Sequence, residues 1–173
     1  MPRGGSPRNR RRRLRHALLG QSDGAGIALI VAGSGAVHPD AVGVIAPHLS
    51  VVPVCLDGIR AISVARESVT MRLGRHHDHR DLVFDRWPDI WLDPAFPDWT
   101  IADVLLTISC PVLAAQGDRD EYSTSEMIDG LARAVLSATG RFFEDRCHVA
   151  HRDQPELVLT FALELAACAR SKV

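Results

Sequence analysis

The sequence lacks a long apolar run, and this absence excludes several classes of protein. No stretch approaches the roughly 18 consecutive apolar residues that a membrane-spanning helix needs. A short apolar stretch follows the basic N-terminal residues, but Gln21, Ser22 and Asp23 interrupt it. The stretch therefore does not have the pattern of a secretory signal. We expect a cytoplasmic protein without a membrane partner.

The sequence also lacks a C-x-x-C pair, which would indicate a zinc site or a redox motif. A disulfide framework is not expected in a chain that is 46% hydrophobic, because ordinary core packing can stabilise it. His76, His77 and His79 surround Asp78, but this cluster is interpreted as a solvent-facing loop. We expect no metal and no cofactor. Reduced, mostly buried thiols are expected at Cys55, Cys110, Cys147 and Cys168.

Acidic residues are absent from residues 1–16, which contain seven arginines. A basic tail of this kind can bind the phosphates of a nucleic acid. Aromatic residues do not alternate with these arginines, however, and no nucleic-acid-binding module follows them. We interpret residues 1–13 as a disordered extension and do not expect a nucleic-acid partner.

From about Leu14 onward, strand patterns alternate with helix patterns. Strands are predicted at residues 14–19, 42–46, 112–115 and 140–143. Helices are predicted at residues 27–32, 123–137 and 155–169. The first of these helices is expected to be buried, and the second has an apolar side formed by Met127, Ile128, Leu131, Val135 and Leu136. The alternation predicts an α/β fold with a mostly parallel sheet that is covered on both faces by helices.

Residues 55–108 have a different pattern. The spacing of apolar residues over 56–73 predicts an amphipathic helix. Trp87, Trp91 and Trp99 follow among prolines and aspartates. These tryptophans line a pocket or form a small core, and burial is the expectation because aromatic residues usually supply packing area. We predict a helical insertion at 55–108 within a core made of residues 14–54 and 109–173.

A G-x-S-x-G sequence, Gly20-Gln21-Ser22-Asp23-Gly24, lies between the first predicted strand and the first predicted helix. This context is typical of a nucleophile elbow, a sharp turn that presents a serine hydroxyl at the tip of a sheet. Ser22 is then the candidate nucleophile, and the N–H of Asp23 can help to hold an oxyanion. The alternative is a glycine-rich turn with an incidental serine.

A serine hydroxyl needs a base to take its proton, and in such folds the chain order is serine, acid, histidine. Asp120 follows the strand predicted at 112–115, and His148 follows the strand predicted at 140–143. The C-terminal ends of parallel strands form the functional edge of an open α/β sheet. Loops at this edge can therefore bring both side chains to Ser22.

Neighbouring residues compete for these two roles. Asp118 and Glu121 flank the candidate acid, and His151 is close to the candidate base. A carboxylate in such a loop is more often a cap or a solvated charge. His151 and Asp153 are interpreted as structural hydrogen-bonding residues around the loop. The residue pattern by itself leaves the choice of acid open.

Three stretches of the sequence together resemble the α/β-hydrolase superfamily, which includes esterases, epoxide hydrolases and C–C bond hydrolases. They are residues 19–24, 110–122 and 148–156. The resemblance extends from about Leu18 to the C-terminus and is weakly specific for any one substrate. It implies a partial α/β-hydrolase fold in which residues 55–108 form a cap over the active site.

The resemblance also implies a role for each candidate residue. Ser22 is the nucleophile, Asp120 the acid and His148 the base. The implied reaction is attack on an ester-like carbonyl of a small-molecule substrate, followed by hydrolysis of an acyl-enzyme. A serine at position 22 speaks against epoxide-hydrolase or dehalogenase chemistry, which uses a carboxylate nucleophile in this superfamily.

Two features depart from the superfamily pattern. Several strands normally precede the elbow, and an early loop usually supplies a second oxyanion donor, whereas little sequence precedes Ser22 here. Cys147 stands where many members have glycine. We therefore expect an N-terminally truncated member, and two hypotheses follow. It is a working serine hydrolase, completed by a homo-oligomer or a complementing chain, or it is a non-catalytic remnant or interaction subunit.

Overall fold

The computed structural model describes residues 15–171. The extension predicted at residues 1–13 lies outside this range. Strands and helices alternate in the described residues, apart from a run of helices between the second and third strands. The elements are β1 (Ala17–Gln21), α1 (Asp23–Gly33), β2 (Ala41–Ile45), α2 (Pro53–Val64), α3 (Arg66–Leu73), α4 (Arg80–Trp91), α5 (Ala102–Leu105), β3 (Val112–Gly117), α6 (Ser125–Ala134), β4 (Ala138–Phe143), α7 (Ala150–Asp153) and α8 (Pro155–Ser171).

The strands of residues 15–171 form a parallel sheet in the order β1-β2-β3-β4. Each strand pairs with the strand before it in the chain, so that Leu19 lies opposite Gly43 and Val44 lies opposite Ala114. Because the strands are parallel, their C-terminal ends meet at one edge of the sheet. The structure confirms the predicted fold class, a parallel sheet flanked by helices.

The sequence of the inner strand β2 is apolar without interruption. All of its residues are buried, because helices cover both faces of the sheet. Val42 and Val44 pack in one cluster with residues of α1 and α6. On the opposite face, Ala41 packs with Leu165 and Ile45 packs with residues that include Phe161, both from α8.

Three helices differ from their predicted bounds. The helix predicted at 27–32 is longer and runs over Asp23–Gly33. The helix predicted at 56–73 is divided into α2 and α3, because Ala65 leaves the helical conformation (φ −89°, ψ 16°). The helix predicted at 123–137 ends at Ala134, since Val135 takes an extended conformation (φ −113°, ψ 105°) before the chain enters β4. Leu136 is therefore fully exposed. Its spacing had predicted a place on the apolar side of the helix, and this prediction was wrong.

Helix α4 packs on both α2 and α3, and α2 and α4 share a small apolar cluster. Cys55, Ile59 and Trp91 are its buried members. The Arg66 guanidinium of α3 binds both carboxylate oxygens of Asp85 in α4 at 2.7 Å. These contacts connect the helices of the segment to each other independently of the sheet.

The last residues of the predicted insertion pack with the main core. Ile101, Leu105 and Ile108 are buried in the same cluster as Leu29 of α1. The Thr107 hydroxyl donates a hydrogen bond of 2.7 Å to a carbonyl at the end of α1. Residues 101–108 thus belong structurally with the helices that cover the sheet. No helix within residues 15–171 combines the length and the apolar character required to cross a bilayer.

β1 and β4 are the edge strands of the sheet within the described residues. Strand β1 pairs with β2 only, and its Leu19 side chain is 49% exposed. The neighbouring helix α1 was predicted to be buried, but its Ile27 and Ile30 side chains are exposed. An unpaired strand edge with an exposed apolar side chain is a surface on which another chain segment can add.

Candidate active site

The turn between β1 and α1 holds Ser22 in a strained backbone conformation. Its φ of 56° and ψ of −125° are rare for a residue with a side chain. The Ser22 N–H donates a hydrogen bond of 2.9 Å to the Ile45 carbonyl at the end of β2. A Cβ atom on Gly20 would clash with the Gly24 carbonyl group, so a glycine is needed there for so sharp a turn. This geometry is that of a nucleophile elbow.

The side chains of Ser22, His148 and Asp120 form a continuous hydrogen-bonded row. Nε2 of His148 is 2.8 Å from Oγ of Ser22. On the other side of the ring, Nδ1 is 2.9 Å and 3.0 Å from the two carboxylate oxygens of Asp120. Because Asp120 can only accept, the proton lies on Nδ1, and Nε2 is left to accept the serine hydroxyl proton. The side chains of Asp120 and His148 are 0% and 8% exposed.

Two loops at the C-terminal edge of the sheet position the acid and the base. The Tyr122 N–H donates to Oδ1 of Asp120 at 2.9 Å. At the start of the same loop, a Cβ atom on Gly117 would clash with the backbone of Arg146, so the two loops are in close contact. The side-chain amide of Gln21 donates to the His148 carbonyl at 3.2 Å, which connects the histidine loop to the elbow.

The residues that compete for these roles have other contacts. Oε2 of Glu121 accepts a hydrogen bond from the His148 backbone N–H at 3.0 Å. Oδ1 of Asp118 accepts one from the Arg146 backbone N–H at 3.2 Å. His151 is exposed on the short helix α7. The structure therefore brings Asp120 and His148 to Ser22, while Asp118 and Glu121 hold the backbone of the histidine loop.

The predicted oxyanion donor lies at the start of a helix. Asp23 is the first residue of α1, and N–H groups in the first turn of a helix have no partner within that helix. The helix N-terminus also carries a partial positive charge. The Asp23 N–H thus lies next to Ser22, at the positive end of α1.

His48 lies beside the row and was not singled out from the sequence. It lies three residues after the end of β2, is 3% exposed, and its ring centroid is 5.8 Å from that of His148. The Trp91 ring contacts it edge-on with a centroid distance of 5.1 Å. A histidine after the C-terminal end of a buried parallel strand is a signal that could have identified it, because that edge of the sheet carries the other two loops of the site.

Two adjoining cavities open onto this site. The catalytic cavity has a volume of about 260 Å³, and its lining includes Ser22, His148, Tyr122, Cys55 and Ile59. The aromatic cavity has a volume of about 210 Å³, and its lining includes Phe96, Trp99, Ile27, Ile30 and Ile90. Four residues line both cavities: Asp23, His48, Trp87 and Trp91. The tryptophans thus both line pockets and pack on one another, and only Trp91 among them is buried.

The histidine-rich stretch is an exposed turn between α3 and α4. Within residues 15–171, no group of three or more histidine, cysteine, aspartate or glutamate side chains is arranged to hold a metal ion. Of the cysteines, Cys55 and Cys110 are buried and Cys147 is exposed. Cys147 thus departs from the expectation of mostly buried thiols.

The cysteines are expected to differ strongly in reactivity. Burial raises the pKa of Cys55 to about 12, and only the thiolate is nucleophilic. With iodoacetamide at pH 8, we expect rapid alkylation of Cys147 and little alkylation of Cys55 or Cys110 in the folded protein. Peptide mass spectrometry over time measures this difference, and unfolding in urea should remove it. Equal rates for Cys55 and Cys147 in the folded protein would contradict the observed burial.

Comparison with solved structures identifies many proteins of the same fold. One is proline iminopeptidase from Mycobacterium smegmatis, with 16% identity, a TM-score of 0.60, and coverage of 92% of this chain and 67% of that one. A serine hydrolase involved in carbazole degradation has 15% identity, a TM-score of 0.68, and coverage of 88% and 64%. E-2-(acetamidomethylene)succinate hydrolase has 15% identity, a TM-score of 0.64, and coverage of 90% and 68%.

Other comparisons give no match. No protein-family model matches the sequence, and no curated protein matches it. The chain spans about two thirds of the length of the solved structures named above. The strand order, the elbow and the similarity to these structures agree with one another. The described residues therefore have a partial α/β-hydrolase fold.

Proposed function

We propose that this protein is a serine hydrolase that acts on an ester-like carbonyl of a small molecule through an acyl-enzyme. The observation that carries this proposal is the hydrogen-bonded row, in which Ser22 Oγ lies 2.8 Å from Nε2 of His148. The other ring nitrogen of His148, Nδ1, contacts the Asp120 carboxylate, which is shielded from solvent. Acyl transfer by a serine needs a histidine that can take the hydroxyl proton and a carboxylate that orients this histidine.

The proposed reaction has two halves. In the first, Ser22 Oγ forms a bond to the carbonyl carbon while Nε2 of His148 takes the hydroxyl proton. Asp120 stabilises the imidazolium, and the proton then passes to the leaving oxygen as its bond to the carbonyl carbon breaks. In the second half, His148 removes a proton from water, the hydroxide oxygen attacks the acyl carbon, and Ser22 recovers its proton as the acid product leaves.

The proposed oxyanion site has one assigned donor, the Asp23 N–H. Removal of a single oxyanion donor typically costs about 10² to 10³ in rate. We therefore expect the Asp23 N–H to contribute an effect of about this size to the acyl-transfer step.

We propose further that α2, α3 and α4 act as a cap. Ile59 and Ile62 of α2 and Trp87 and Trp91 of α4 line the catalytic cavity opposite Ser22. Apolar walls of this kind reduce access of water and strengthen electrostatic interactions inside the site. The segment is therefore the part of the chain in which substrate preference would be determined.

A second candidate function, that of a non-catalytic interaction subunit, is favoured by a different observation. Within the described residues β1 is an edge strand that pairs on one side only, and its Leu19 side chain is 49% exposed. A partner that adds a strand there would cover this surface. The two candidates differ in whether Ser22 is reactive.

A fluorophosphonate probe tests the proposed function directly. We expect covalent labelling of the wild-type protein and none of Ser22→Ala, because the alanine has no oxygen to bond to phosphorus. Ser34→Ala is a suitable control, since Ser34 is an exposed serine at the end of α1 and its loss should leave labelling intact. Folded wild-type protein that resists the probe would contradict the proposal and favour the interaction subunit.

A further inference from the structure

The aromatic cavity is lined by four aromatic residues from one short part of the chain. Phe96 and Trp99 are stacked with a centroid distance of 5.5 Å, and Trp91 contacts both rings edge-on. Trp87 is the fourth. Trp87, Phe96 and Trp99 are half-buried, so part of each side chain remains accessible. The face of an aromatic ring is electron-rich and attracts cations, and that of tryptophan does so most strongly.

The charged side chains at this cavity are acidic. Asp23 lines both the aromatic cavity and the catalytic cavity, and neither lining includes a lysine or an arginine. Residues 87–99, which carry the four rings, contain three aspartates and no basic residue. An anionic ligand would meet only like charge here. A cation would be attracted both by the rings and by the Asp23 carboxylate.

The imidazole of His48 does not oppose a cation at this place. It lines both cavities. Burial lowers the pKa of His48, and the neighbouring His148 lowers it further, against the opposing effect of Asp23 and Asp120. The ring is thus neutral at pH 7, and the Asp23 carboxylate is left as the charged group that the two cavities share.

The size and the lining of the cavity favour a quaternary ammonium group over other cations. The volume of about 210 Å³ exceeds the roughly 150 Å³ of an apolar cavity that accepts benzene, and a trimethylammonium group is comparable in size with benzene. Its methyl groups suit a lining that also contains Ile27, Ile30 and Ile90. A primary ammonium has three N–H donors that need acceptors, and a lining of aromatic and aliphatic side chains supplies few.

We propose that the aromatic cavity binds a quaternary ammonium group of the substrate through its aromatic rings and the Asp23 carboxylate. The inference rests on the proposed function, because it places the scissile carbonyl at Ser22. Asp23 follows Ser22 directly in the chain and lines both cavities, so the ammonium site adjoins the nucleophile. The substrate class is then a small ester that carries a quaternary ammonium group.

Two ligands of nearly the same shape test the binding site. They are choline and 3,3-dimethylbutan-1-ol, which has a quaternary carbon where choline has the charged nitrogen. All three tryptophans line the aromatic cavity, so their fluorescence should change when either ligand binds. We expect the wild-type protein to bind choline about 10-fold more tightly than the alcohol, a difference that two cation–π contacts would give.

Substitutions at the cavity should reduce this preference. Asp23→Asn removes the charge and keeps the shape, and Trp99→Leu removes an aromatic ring that does not line the catalytic cavity. Each should lower the ratio of the two affinities by about 3-fold, the size of one cation–π contact. The ratio is measured within each variant, so a smaller folded fraction cancels.

Two further variants serve as controls. Trp99→Phe retains an aromatic ring and should keep most of the preference. Asp89→Asn removes an exposed carboxylate of α4 that lines neither cavity, and it should leave the ratio unchanged. Equal binding of choline and the alcohol by the wild-type protein overturns the proposal. A preference that persists undiminished in both Asp23→Asn and Trp99→Leu overturns it as well.

Hydrolysis and labelling separate this inference from the proposed function. The acetate esters of choline and of 3,3-dimethylbutan-1-ol share the reacting carbonyl. After division by their rates of hydrolysis by hydroxide, we expect kcat/KM to be about 10-fold higher for the choline ester. Labelling by fluorophosphonate without a preference for choline in binding would refute the ammonium site alone. A preference for choline in binding without labelling would retain the ammonium site and refute the serine hydrolase.

Discussion

Asp120→Asn is expected to lower kcat by a factor on the order of 10⁴. The carboxylate lies within 3.0 Å of Nδ1 of His148 through both of its oxygens, and it keeps the proton on that nitrogen. An asparagine can turn its NH₂ group toward Nδ1, which favours the tautomer with the proton on Nε2. That nitrogen then cannot accept the Ser22 proton. Turnover of 4-nitrophenyl acetate and the rate of fluorophosphonate labelling measure the effect.

Asp118→Asn is the matched control for this change. Asp118 lies in the same loop and is exposed, and its contact is with the Arg146 backbone N–H. An asparagine oxygen can accept the same hydrogen bond, so kcat should stay close to the wild-type value. If the two variants lost activity equally, the effect would come from the loop as a whole, and the assignment of Asp120 as the orienting acid would be wrong.

Gly20→Ala is expected to lower the free energy of unfolding by about 3 kcal/mol, at the upper end of what overpacking in a core costs. The added Cβ would meet the carbonyl of Gly24 and the backbone of Ala25. Backbone atoms cannot give way as a flexible side chain can. The elbow would have to open, and Ser22 would move away from His148. Urea unfolding measures the stability, and fluorophosphonate labelling reports the geometry of the elbow.

The other glycine of the motif provides a control for this substitution. A Cβ on Gly24 has open space around it, and Gly24 lies in the first turn of α1. Replacement of a helical glycine by alanine at a compatible site typically stabilises by about 0.4 to 1 kcal/mol. Gly24→Ala should therefore be as stable as the wild-type protein or slightly more so. Equal destabilisation by both substitutions would contradict the close approach seen only at Gly20.

Much of the sheet could be predicted because its strands have simple patterns. Residues 42–46 and 112–115 are apolar without interruption, and both correspond to strands that are covered on both faces. The elbow was predictable because a sharp turn restricts which residues can stand at Gly20. The exposed face of α1 was not predictable. The spacing of apolar residues does not show which of them lack a packing partner.

The helix boundaries and His48 depended on tertiary structure. Leu136 has the spacing of the apolar side of α6, but the chain must leave that helix before β4, and Val135 already takes an extended conformation. No glycine or proline stands next to Ala65, so the sequence does not indicate the break between α2 and α3. His48 is significant only because α4 brings Trp91 against its ring, a contact between residues far apart in the chain.

The order of the strands determines when the side chains of the site come together during folding. The contact between His148 and Asp120 closes a loop of 28 residues, whereas the contact between His148 and Ser22 spans 126. Longer loops cost more entropy to close and form contacts more slowly. β3, α6 and β4 can thus assemble Asp120 and His148, and β1 can pair with β2 across only 24 residues. The two halves of the site meet when β2 pairs with β3, across 70 residues. A refolding chain should regain reactivity in its last step.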